Sequence, residues 1–221
     1  MEASNAAAAV RELQSELNSR LSELESYSIE QEIQEEHDLP ALLKIALKNE
    51  VEASEIAAYW IPTTPELDIK LGFARQVGDE ARHYRLIAEH LVNMGVPLED
   101  FDPMAAGYSP LFKALQGLET TVERLSAGQF TREAIAVQRN EMFIRYLEHH
   151  GHTALVRLYR EEIQPDETHH HQLGVSGLTK LMTTPDARER ARKAMNLTLS
   201  IADEMKKAAE KKVGSKTLPG C

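Results

Sequence analysis

Apolar residues recur along this chain at spacings of three and four, the signature of amphipathic helices. Residues 1–36 carry Val10, Leu13, Leu17, Leu21 and Leu24 as a narrow stripe on one helix, which His37-Asp38-Leu39-Pro40 breaks. A second stripe (Leu43, Ala46, Ala53, Ala57, Trp60) starts near Pro40, well placed in a first turn, and stops at Trp60-Ile61-Pro62. The short Thr63-Thr64-Pro65 connection then predicts an antiparallel return. That return carries Phe73, Val77, Tyr84, Ile87 and Leu91 and ends at Met94-Gly95. From Gly95 to about Gln129 glycine, proline and aspartate recur, with one helical piece near 111–125, as in a long crossover. A further helix is expected from a Thr131 N-cap to His149, with Ala134, Val137 and Ile144 facing inward. The next spans about Thr153 to Leu181 with Leu155, Tyr159 and Ile163, and Pro165 should kink it. A last helix opens at Thr184-Pro185-Asp186 and runs to about Val213, leaving a tail. The pattern predicts an all-α chain: a four-helix bundle at 37–213 with an extra C-terminal helix, an N-terminal helical extension at 1–36 and a tail at 214–221.

Acids interrupt the stripes where apolar residues belong. Glu50, Glu80, Glu141 and Glu167 each fall on an inner face, whereas Glu52 and Glu55 lie off it and read as solvated. A carboxylate on a core seam survives desolvation only if it is paired, protonated or bound to metal. Two of the four open related pentapeptides, Asp79-Glu80-Ala81-Arg82-His83 and Asp166-Glu167-Thr168-His169-His170. Glu and His three apart share a helical face, so Glu80 with His83 and Glu167 with His170 form two pairs. Chance alone gives about one Glu-x-x-His in such a composition, so the weight lies in the paired occurrence, the preceding aspartates and the helical setting. Glu50 precedes Glu80 by 30 residues and Glu141 precedes Glu167 by 26. Glu133, 34 residues before Glu167, shares roughly the same face and rivals Glu141. Together Glu50, Glu80, His83, Glu141, Glu167 and His170 make a six-ligand set for two metal ions. His169 and His171 point away from His170, and His149, His150 and His152 read as a polar turn.

The net charge of −10 argues against a nucleic-acid partner. The one cysteine, Cys221, excludes an internal disulfide framework and a Cys-x-x-Cys iron site. No apolar run reaches membrane-spanning length and no signal-peptide profile opens the chain, so a cytoplasmic location is expected. The narrow N-terminal stripe is expected to dock on the bundle or on a second copy in a homo-oligomer.

Glu50, Glu80-x-x-His83, Glu141 and Glu167-x-x-His170, in that order on two hairpins, resemble the ferritin-like di-iron carboxylate superfamily over about residues 40–181. That resemblance implies a ferritin-like four-helix bundle and a pair of iron ions, with manganese or a mixed Mn/Fe pair also suited to hard carboxylate and imidazole donors. It also implies that Asp79 accepts a hydrogen bond from His170 and Asp166 one from His83, across the bundle. The implied activity is O2 activation by an oxidoreductase, an oxygenase or oxidase of a small organic substrate with an external electron donor. In that reading Tyr84, Tyr146 or Tyr159 could supply hydrogen bonds at the site. The alternative is ferritin- or rubrerythrin-type iron oxidation, storage or peroxide handling. A third reading makes the acids structural, paired with Arg82, Arg139 or Arg160.

Overall fold

The computed structural model describes residues 2–25, 33–213 and 219–220, and among these every regular element is helical. In chain order they are α1 (Glu2–Glu25), α2 (Leu39–Trp60), α3 (Leu67–Asn93), α4 (Pro110–Gln116), α5 (Thr121–Leu125) and α6 (Glu133–His149). Then come α7 (Thr153–Leu158), α8 (Gln164–Leu181) and α9 (Pro185–Val213). Two π-helical segments, π1 (Ser126–Arg132) and π2 (Tyr159–Ile163), join α5 to α6 and α7 to α8 without a break.

Local chemistry sets the boundaries. Asp38 caps α2 by accepting from the Ala41 amide at 3.1 Å, with Pro40 in the first turn. Gly95, at φ +81°, ends α3 in the left-handed region that glycine enters without cost. The helical run that leads into α6 is capped at Thr120, eleven residues before the expected Thr131 cap. Thr120 and Glu123 form a reciprocal capping box there. Thr131 instead lies inside π1, its hydroxyl donating to the Ser126 carbonyl at 2.6 Å. The crossover is accordingly shorter than expected, with α4 as its helical piece.

The α2–α3 hairpin and the run from α5 to α8 carry two apolar clusters. One holds Trp60, Phe73, Phe130 and Leu178, the other Leu43, Leu47, Ile87, Phe143, Leu147 and Ile163. Along α2 the change of cluster falls between Leu47 and Ile56, and along α3 between Phe73 and Ile87, so Glu50 and Glu80 lie at the junction. Helices α1 and α9 add to the first cluster. Leu13 and Leu17, Met195 and Leu199 are all buried in it. The N-terminal stripe therefore docks on its own chain; the Leu24 side chain, residues 214–218 and Cys221 lie outside the described residues.

One solvated expectation fails. Glu52 is buried and anchors the crossover, accepting from the Ser109 amide at 2.8 Å and its hydroxyl at 2.5 Å, with Lys48 Nζ also at 2.8 Å.

Candidate metal centre

At the junction of the two apolar clusters, four acids and two histidines meet, each at most 6% exposed: Glu50, Glu80, His83, Glu133, Glu167 and His170. They fall into two overlapping groups, Glu50, Glu80, His83, Glu167 and Glu80, Glu133, Glu167, His170. Within each group the donor atoms lie within 4.8 Å of one another. Glu80 and Glu167 belong to both, and each turns one oxygen to each histidine. Glu80 Oε2 is 3.1 Å from His83 Nδ1 and Oε1 is 3.5 Å from His170 Nδ1. Glu167 Oε1 is 3.9 Å from His83 Nδ1 and Oε2 is 3.7 Å from His170 Nδ1. Each histidine thus offers Nδ1 inward.

The outward nitrogens go to the aspartates of the opposite pentapeptide. His83 Nε2 lies 3.2 Å from Asp166 Oδ2, and His170 Nε2 lies 3.1 Å from Asp79 Oδ2. An ionised aspartate only accepts, so each imidazole carries its proton on Nε2, which can leave the Nδ1 lone pair for a cation. Burial works against Asp79 ionising, but the hydrogen bond and charge of His170 and the charge of Arg75 outweigh it and hold the pKa low. Arg75 contacts both aspartates, at 3.2 Å and 3.4 Å, and Arg82 donates to Asp166 at 2.6 Å.

Glu141 is exposed and outside the cluster, and Glu133 stands in the place expected of it. The buried face of α6 includes Glu133, Ala136, Asn140, Phe143 and Leu147; of the residues expected inward, Ile144 is buried, while Ala134 and Val137 are half-buried and Glu141 is exposed. Three buried polar residues beside the acids carry no mark in the apolar pattern. Gln76 Nε2 donates to Glu80 Oε1 at 3.1 Å and to Glu133 Oε1 at 2.8 Å, while Gln129 Nε2 donates to Gln76 Oε1 at 2.8 Å. Arg132 Nη1 donates to the same Glu133 oxygen at 3.1 Å. The signal available for Gln76 is its position four residues before Glu80, on the same face. Of the three candidate tyrosines, Tyr159 reaches the acids: its hydroxyl is buried, has no hydrogen-bond partner, and feels the charges of Glu50 and Glu167.

The electrostatics are those of acids crowded out of water. Burial, aided by the charge of Glu80, pushes Glu50 up to about 7. Glu167 is raised well above the carboxylate range, again by burial first and then by Glu80 and Glu133. Burial opposes charge on His83, but contacts with Glu50 and Glu80 outweigh it and raise the ring to about 12. Glu133 Oε2, Glu167 Oε2 and His170 Nδ1 are buried with no hydrogen-bond partner. A divalent cation satisfies such atoms and relieves the repulsion at once, so the donor set fits a pair of hard metal ions. Of the arginines the structural reading names, Arg82 serves Asp166 and Glu162, Arg160 serves Glu148, and Arg139 reaches the Ala202 carbonyl, while Arg132 does pair with one of the six, Glu133.

Comparison of the sequence with protein-family models, with curated proteins and with solved structures gives no match in any of the three. No helix among the described residues is long and apolar enough to cross a membrane.

Proposed function

We propose that this chain is a ferritin-like di-metal carboxylate protein whose two ions are iron, and that it works as an oxidoreductase on O2 and a small organic substrate. The observation that carries the reading is the pair of overlapping donor groups, which share Glu80 and Glu167 and hold one aspartate-oriented histidine each. Glu80 and Glu167 would contribute to both positions, Glu50 with His83 to one and Glu133 with His170 to the other. Manganese suits the same donors. Held by these anionic donors, ferrous ions would supply the electrons for reducing O2.

The protein's own residues do the rest. Asp79 and Asp166 keep the imidazole Nδ1 atoms aimed inward. Glu50 and Glu167, whose proton affinity burial raises in the metal-free state, would exchange those protons for cations. Phe143, Ile163 and Ile87 on one side and Phe73 and Phe130 on the other exclude water from the junction. Tyr159 brings a buried hydroxyl that is free to donate to a ligand there.

Stopped-flow mixing of the ferrous-loaded protein with O2 tests this. Oxidation faster than that of free ferrous ion under the same conditions is expected, and equal rates would refute it. Loading with a large excess of iron separates the iron-storage alternative, for which retention of hundreds of ions per assembly would decide.

A further inference from the structure

The two metal positions differ in what their donor atoms already do, and this asymmetry rests on the di-metal reading above. At the first position His83 Nδ1 lies 3.1 Å from Glu80 Oε2 and 3.4 Å from Glu50 Oε2, so the donors close on one another. At the second, His170 Nδ1, Glu133 Oε2 and Glu167 Oε2 are all buried without a hydrogen-bond partner. The carboxylate oxygens nearest His170 Nδ1 stand off at 3.5 Å and 3.7 Å.

A polar array outside the ligands accounts for the open geometry. The Gln76 amide nitrogen holds Glu133 Oε1 and Glu80 Oε1, and its own oxygen is taken by Gln129, which fixes which way the amide faces. Arg132 adds a second donor to Glu133 Oε1. Gln76, Gln129 and Glu133 are each 1% exposed, so water does not compete for these bonds. With Oε1 held twice, Glu133 can turn only Oε2 to a cation. An ion entering the second position satisfies three atoms that have no hydrogen-bond partner and parts His170 only from carboxylates already 3.5 Å and 3.7 Å away, whereas one entering the first must part His83 from carboxylates at 3.1 Å and 3.4 Å. The Arg132 charge acts against cation binding, but it lies on the Oε1 side, and Glu80 and Glu167 bring two further carboxylates to the position.

We propose that Gln76 and Arg132 are positioning residues that make the two metal positions inequivalent. By fixing Glu133 they hold the Glu133–Glu167–His170 position ready for the first ion, and the Glu50–His83 position fills second. Preorganised donors bind more tightly because the cost of ordering them is met on folding.

Anaerobic titration of the full-length, metal-free protein with Co2+, followed by its visible absorption and by calorimetry, tests the order. Two steps are expected, the first tighter by about tenfold or more. His170→Ala removes the tight step, and His83→Ala removes the weak step and spares the tight one. Gln76→Met, close in length but without the donor, weakens the first step by about tenfold and changes its absorption bands, with helicity unchanged. Two equal steps, loss of the tight step in His83→Ala, or a first step unmoved by Gln76→Met would overturn the proposal. Wild-type protein that binds no Co2+ would remove the di-metal reading itself, a different failure from a reversed order. The two histidine variants decide the order even if Gln76→Met does not fold.

Discussion

Of the six side chains buried at one junction, Glu50, Glu167, His83 and His170 hold their protons more tightly than they would in water, and the sign of each shift fixes a pH dependence. Glu50 and Glu167 have raised pKa values in the folded state, so the folded chain holds protons that the unfolded chain has released above about 4.5. His83 and His170 are raised as well, against burial, through their contacts with Glu50, Glu80, Asp79 and Glu167; their stabilising share is lost as pH rises past about 6.5. All four contributions fall in the same direction. The melting temperature of the metal-free protein is therefore expected to drop from about pH 5 to about pH 8, and the increment from added Mn2+ to grow over the same range. Thermal melts with chelator and with Mn2+ check this; an increment that shrinks with pH contradicts it. At this scale much of the site was legible, because Glu50, Glu80, His83, Glu167 and His170 sit on apolar stripes or next to them. Glu133 was legible only as the rival of Glu141: the expected stripe holds at Ile144, which is buried, but Val137 is only half-buried, and Ala136, Asn140 and Phe143 carry the buried face back to Glu133. Glu133→Ala is expected to lose at least one of two bound ions and Glu141→Ala none, as measured by the metal-to-protein ratio.

Helix geometry shows why Glu133 fits. It lies 16 residues before the end of α6 at His149, and Glu167 lies 14 residues after the start of α7 at Thr153. At ~1.5 Å per residue the two reach nearly the same height, whereas Glu141 stops about 9 Å short. The matching of heights about the turn, which locates Glu50 opposite Glu80, points to the same choice. The π segments had no such signal, since a π turn spans one residue more than an α turn and rotates the face of the helix beyond it. Small residues let π1 approach its neighbours. A Cβ on Gly174 of α8 would lie 2.5 Å from the Phe130 backbone nitrogen, and one on Gly128 would lie 2.9 Å from the Trp60 ring. Gly174→Ala must therefore push α8 off π1, the contact that sets Glu167 against Glu133. The expected cost is about 1–3 kcal/mol of stability together with weakened metal binding, from denaturant melts and metal titration; a neutral outcome contradicts the close approach. In α1, Leu17 is fully buried among the first cluster, and Leu17→Ala should cost about 2–5 kcal/mol by the same melts. A passive extension would show no change.

Across the whole molecule, the arrangement is two apolar clusters with a charged layer between them. The all-helical class was readable from the spacing of apolar residues alone, and the hairpin from α2 to α3 from one short turn. What the spacing could not give was how the last and first helices dock, because that depends on which faces meet rather than on which residues are apolar. Nor could it show that Glu52 ties the crossover to α2 through Ser109, a contact made across 57 positions of the chain. In the function proposed above, the charged layer holds two metal ions. That occupancy is tested most directly by elemental analysis of the full-length protein after anaerobic reconstitution with ferrous iron and removal of unbound metal. About two iron ions per chain are expected, one for each of the two overlapping donor groups. Less than about half an ion per chain, with the protein folded, would contradict it.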